Sequence, residues 1–217
     1  MLSRSYPLIA REGWGILGLL FAIAAIALFI GYRELAIGVV PIIAVVGFLY
    51  RDIKRKTPPR PMGVVSPVDG TVTRIEKDVL DPIRALPSTH VKIRLHALGG
   101  YAIHCPLEGK IAKMDSVAIE RPGIINAFLV STDEGDDIVV ALVGGARSVP
   151  RLYLQPGHRI AHGQRVGFYF MGMEADVYVL GSSRVEIKTG ARVSAGETIL
   201  TTVTHKETVT GVSGQLI

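Results

Sequence analysis

Ser66-Pro-Val-Asp-Gly-Thr-Val-Thr-Arg-Ile75 returns in altered form as Cys105-Pro-Leu-Glu-Gly-Lys-Ile-Ala-Lys-Met114. Both copies read small residue, Pro, apolar, acid, Gly, any, apolar, any, base, apolar. The acid–Gly pair suits a turn, because glycine takes positive φ without steric cost. The apolar–polar alternation that follows has the period of a half-buried strand. A second pair of repeats lies downstream, Gly157-His-Arg-Ile-Ala-His-Gly-Gln164 and Gly190-Ala-Arg-Val-Ser-Ala-Gly-Glu197. Repeated turn-and-strand units imply a pseudo-symmetric domain of barrel–sandwich type, so the expected fold class is mainly β.

Working outward, Val, Ile and Thr alternate with polar residues from Gly63 onward, with Gly or Pro punctuating the chain. That assigns 63–217 to the β domain. The apolar stretch Pro122–Ser131 reads as a strand or a short helix. Upstream, 51–62 is a basic, proline-rich linker stiffened by Pro58-Pro59-Arg60-Pro61. Before it, 13–50 reads as a transmembrane helical hairpin, preceded by a short N-terminal segment, 1–12. The hairpin's two apolar runs, Trp14–Gly31 and Leu35–Tyr50, carry no charge and are separated at Tyr32-Arg33-Glu34. A spanning helix needs about 20 apolar residues, with a lower limit near 17. Arg4 and Arg11 precede the first run, and Arg51, Lys54, Arg55, Lys56 and Arg60 follow the second. Positive residues stay on the cytoplasmic side, so both ends of the hairpin and the β domain are expected to face the cytoplasm from the inner cell membrane. A cleaved signal peptide fits less well, since its apolar core is about 7–15 residues and a small-residue cleavage site is not evident.

The formal charge of +5 is modest and concentrated beside the hairpin, and aromatic residues make up only 6% of the 217. Both features argue against a nucleic-acid partner. Cys105 is the only cysteine, which excludes an internal disulfide. His158 and His162 are four apart but lie in a glycine-rich turn, and no metal site is expected. A lipoyl- or biotinyl-type carrier domain would need a lysine at a hairpin tip beside methionine. Lys113-Met114 comes nearest but lies beyond the turn.

The order of motifs resembles the short-form phosphatidylserine decarboxylases. Arg11-Glu-Gly-Trp14 opens the hairpin, Tyr50-Arg-Asp52 closes it, and Val65-Ser-Pro-Val-Asp-Gly70 follows. Asn126-Ala-Phe128, Gly144-Gly-Ala-Arg147, Gly163-Gln-Arg-Val-Gly-Phe-Tyr-Phe170, Asp176-Val-Tyr-Val179 and Ala191-Arg-Val-Ser-Ala-Gly-Glu-Thr198 come in the family's order. The resemblance implies a membrane-bound proenzyme that cuts itself before a serine and turns that serine into a pyruvoyl group. The pyruvoyl carbonyl takes the amine of phosphatidylserine, or of a related serine phospholipid, as a Schiff base and serves as electron sink while carbon dioxide leaves. Membrane phospholipid is then the partner, and a homo-oligomer is allowed.

The family processes itself with an aspartate, a histidine and the serine, a base activating the hydroxyl and an acid orienting the base. The resemblance carries the aspartate onto Asp69. Without a gap, Tyr101 falls at the family's histidine. His104 reaches that place through a three-residue deletion, and His96 is a weaker substitute. Without a gap, Met173 falls at the serine, and methionine forms neither ester nor pyruvoyl group. A Gly-Ser bond occurs nine residues later, Gly181-Ser182, making Ser182 the candidate pyruvoyl precursor. Two readings follow: a decarboxylase working through Asp69, His104 and Ser182, or an inactive relative serving as a membrane-anchored lipid- or protein-binding β domain.

Overall fold

A computed structural model describes residues 9–52, 54–115, 123–145, 148 and 150–204. A 3-10 turn, Arg11–Gly13, leads into α1, Trp14–Ile30. Gly31 ends it in the left-handed conformation at φ 99°, its N–H donating to Ala27 and Leu28. α2 spans Arg33–Leu49 with Pro41 inside it. The interruption is therefore narrower than the sequence suggests, because Arg33 and Glu34 join the first turn of α2. There the Glu34 carboxylate meets the positive end of the helix dipole. The outer ends of the two helices are drawn together, Ala10 N–H donating to Tyr50 O at 2.7 Å. Apolar side chains point outward around this helix pair: Phe29 is 94% exposed and Trp14 63%. The continuous helical run Arg11–Ile30 is long and apolar enough to cross a membrane.

The rest of the described chain is β. The strands are β1 Gly63–Val65, β2 Gly70–Leu80, β3 Pro87–Leu95, β4 Ala102–His104, β5 Gly109–Asp115, β6 Ile124–Ser131 and β7 Asp137–Val143. They continue as β8 Arg151–Leu152, β9 Arg159–Ile160, β10 Arg165–Phe168, β11 Glu174–Leu180, β12 Ser183–Val185, β13 Arg192–Val193 and β14 Ile199–Val203. The stretch left open between strand and helix is thus β6, in keeping with its β-branched and aromatic content. An eight-stranded sheet runs β13-β2-β3-β11-β7-β6-β5-β9, and two three-stranded sheets run β1-β14-β12 and β4-β10-β8. Every pairing is antiparallel. The large sheet buries both faces. Phe128, Val130, Ile138, Val140, Val177 and Val179 enter the main core, while Leu129, Val139, Ala141 and Tyr178 alternate with them into a second cluster.

Several backbone hydrogen bonds recur in the two repeats. Val65 N–H donates to Pro106 O and His104 N–H to Pro67 O, a reciprocal pair. Gly196 N–H donates to Ser66 O and Gly163 N–H to Cys105 O. Gly190 caps Val72 as Gly157 caps Ile111. A Cβ on Gly70 would run into the Arg94 carbonyl, and one on Gly109 into the Ser131 carbonyl. Glycine recurs in the motif because a neighbouring strand passes too close for any other residue. The basic segment after α2 is laid onto this framework: Arg60 pairs with Glu186 at 2.7 Å, and Thr57 lies where a Cβ on Gly163 would be.

Candidate functional site

Asp69 sits in the bend between β1 and β2, 8% exposed, and both of its carboxylate oxygens are occupied. Oδ2 accepts from Arg55 Nη2 at 2.6 Å and from Gly100 N–H at 2.8 Å, and Oδ1 accepts from Ala195 N–H at 2.7 Å. Arg55 is shared, its other nitrogen reaching Glu197 at 3.3 Å. A charge-assisted bond to a buried carboxylate is short and strong. Asp69 therefore ties the basic segment, the loop before β4 and the turn after β13 to one point.

His104, at the end of β4, faces the same place. Its ring packs on Gly196, and its Nδ1 is buried without a hydrogen-bond partner. Burial, with Arg55 next, pushes the imidazole down to about 4 although Asp69 pulls the other way. The ring is neutral at pH 7. Among the described residues, the hydrogen bonds to Asp69 come from Arg55, Gly100 and Ala195, not from His104. His96 is engaged elsewhere, its Nε2 2.8 Å from the Thr71 hydroxyl.

Ser182 is at the other end of the sheet. It lies on an exposed bend after β11, where Gly181 has φ 84° and Ser182 O accepts from Thr204 N–H. Through β3, Leu180 pairs with Ser88 while Gly70 pairs with Leu95. Seven residues of strand thus separate the Ser182 end from the Asp69 end, roughly 23 Å at about 3.3 Å per residue. Met173 stands at the Asp69 end of the sheet but on the other side of β3. Its carbonyl accepts from Leu95 N–H at 3.0 Å, and the Asp69 carbonyl accepts from the next amide, His96, at 3.2 Å. The structure thus places Asp69 and His104 at one end of the large sheet, with Met173 across β3 from Asp69, and leaves Ser182 at the other end. Tyr101 is buried in an aromatic group with Phe168 and Phe170, its hydroxyl held by Ala97 O, and burial raises its pKa. Met173, which takes the serine's place in the ungapped match, has no hydroxyl from which a pyruvoyl group could form. Among the described residues no cluster of His, Cys, Asp and Glu is placed to hold a metal.

Sequence reasoning did not anticipate the arginine that joins the helices to the β domain. Arg165, on β10 opposite His104, reaches Glu12 at 3.0 Å and Asp52. Tyr153 donates its hydroxyl to Glu12 as well. The side chains of Glu12 and Asp52 are 6% and 2% exposed, and burial raises the Asp52 pKa even against Arg165. The only signal in the sequence was that Glu12, Asp52 and Arg165 each stand inside a quoted motif. Next to this clamp is a cavity of about 360 Å³ lined by Glu12, Gly15, Ile16, Tyr50, Arg151, Phe168 and Phe170. A larger one, about 450 Å³, lies beside Pro59–Met62 and Arg159. Neither is lined by Asp69, His104 or Ser182.

Residues 43–201 match the family model of phosphatidylserine decarboxylase. The chain belongs to the phosphatidylserine decarboxylase family. It is 29% identical over 209 residues to the phosphatidylserine decarboxylase proenzyme of Aromatoleum aromaticum, covering 90% of this chain and 95% of that one. It is 28% identical to the proenzyme of Nitrosomonas europaea over the same shares. Among solved structures, the glucose permease IIA of Mycoplasma capricolum superposes with a TM-score of 0.47 at 16% identity, covering 65% of this chain and 96% of that one. Asp69 and Arg165 both lie within the matched residues.

Proposed function

We propose that this chain is an uncut member of the phosphatidylserine decarboxylase family, anchored in the inner membrane with its β domain toward the cytoplasm, that binds a serine-phospholipid head group without forming a pyruvoyl cofactor. The carrying observation is at the Asp69 end of the sheet: the Asp69 oxygens are taken by Arg55, Gly100 and Ala195, and across β3 the residue in the serine's place is Met173. The cavity at the base of the helices supports binding. It offers Arg151 to a phosphate beside an apolar wall of Tyr50, Phe168 and Phe170, at the level where a head group would lie. The backbone hydrogen bonds that recur in the repeats support the barrel–sandwich reading of the domain.

The second reading is the family's reaction itself, decarboxylation of phosphatidylserine through a pyruvoyl group made at Gly181–Ser182. What favours it is the exposed, left-handed turn that presents this bond. Intact mass of the full-length chain purified from membranes separates the two. A single 217-residue species is expected. A fragment beginning at residue 182 with a blocked, pyruvoyl-bearing end, lost in Ser182→Ala, would overturn the first reading and establish the second.

A further inference from the structure

Three large apolar side chains stand in water around the base of the helix pair: Leu98 is 66% exposed, and Met171 and Met173 are each 58% exposed. They sit on two loops that are fixed to the chain where it leaves α2. Arg51 donates to Leu98 O at 2.8 Å while its guanidinium lies 4.0 Å over the Phe48 ring. The Phe170 ring, next to Met171, stacks on Tyr50 at 5.2 Å. Both loops are built rather than slack. The Tyr101 hydroxyl holds the first at Ala97 O, and Ser148 Oγ holds the second at Met171 O, 2.6 Å away. Met171 keeps a left-handed backbone at φ 51°, a conformation that costs a non-glycine residue of order 1–3 kcal/mol and persists only where its surroundings impose it. Gly172 faces the Tyr169 ring so closely that no side chain fits, which turns the flanking methionines outward.

We infer that the loops carrying Leu98, Met171 and Met173 form a second membrane contact, entering the interfacial layer of the bilayer that holds the helices. The occupant is phospholipid rather than protein because the loops continue the level at which Tyr50 and Arg51 emerge. Arg51, which reaches Leu98 O, suits anionic head groups, as does Lys54 three residues further along the chain. Exposed apolar groups at that depth gain from leaving water, whereas in the cytoplasm they would be a liability. The inference rests on the membrane reading of the helix pair, and its test keeps the two apart.

Trp14 is the only tryptophan in the chain. The native protein, and Trp14→Phe chains carrying Leu98→Trp, Met173→Trp or Leu86→Trp, are reconstituted in phospholipid vesicles with brominated acyl chains. Leu86 is the control, exposed at the far end of β3, roughly 26 Å away at about 3.3 Å per residue. Expected is loss of emission at 98 and 173 comparable with that of Trp14, and none at 86. Quenching of Trp14 alone would overturn the loop contact and leave the helices in the membrane. No quenching of Trp14 would remove the membrane reading and the proposal with it. Emission at 98 and 173 that changes with the protein-to-lipid ratio but not with bromination would assign the surface to a second copy of the chain, and also overturn the proposal.

Discussion

His104 and Asp69 are buried a few residues apart in space, yet they are held in opposite ways. Both Asp69 carboxyl oxygens are partnered; His104 is neutral with a bare nitrogen. Asp69→Asn keeps the shape but turns one acceptor oxygen into a donor facing N–H groups. A loss of about 2–3 kcal/mol is expected, read as a lower denaturant midpoint in detergent. For His104 the sign follows from its folded pKa of about 4 against 6.5 in the unfolded chain. Above 6.5 neither state binds the proton. Between 6.5 and about 4 only the unfolded state does, so stability should fall by about 3 kcal/mol on acidification through that window. Below it the loss levels off. His104→Phe should flatten this slope, measured as unfolding midpoints at pH 7 and pH 5. Asp69 was legible in the sequence because the turn motif around it is specific. What surrounds it was not, because Arg55, Gly100 and Ala195 are brought in by three separate segments.

At the scale of elements, the duplicated motifs were the most readable part of the chain. The sequence predicted a turn followed by a strand in both copies, and β2 and β5 leave equivalent bends at Gly70 and Gly109. The structure adds the reason for the glycines, a carbonyl of the adjacent strand in each case. Gly70→Ala and Gly109→Ala should therefore both destabilise, each by about 1–3 kcal/mol from forced overpacking, as measured by chemical denaturation. A cost at Gly70 without one at Gly109 would show that the two copies are alike in sequence only. Pairing between remote strands, such as β11 between β3 and β7, was not legible, since register depends on long-range contacts that local patterning does not encode. The same limit hid the distance between Ser182 and Asp69: nine residues beyond Met173 reads as a small shift along the chain, but β11 carries it to the opposite end of the sheet.

For the whole molecule, the question is what joins a polar β domain to an apolar helix pair. One arginine supplies much of the answer. Replacing Arg165 by methionine leaves the buried carboxylates of Glu12 and Asp52 without their cation. A cost of about 3–5 kcal/mol is expected, seen as earlier thermal unfolding in detergent. The helices themselves should be indifferent to charge screening. The full-length protein is expected to stay with membranes through a wash at about 1 M salt, where the screening length is ~3 Å, because its anchorage is apolar.

The clamp also sets a timetable. Asp52 and Arg165 are 113 residues apart, so the ribosome completes both helices long before it makes their partner. At about 5–20 residues per second, the interval is on the order of ten seconds. On the proposed membrane reading of the helix pair, insertion is decided before Arg165 exists to meet either carboxyl group. The β domain then closes onto a helix pair already made, and its arrival is what finally withdraws those two side chains from water.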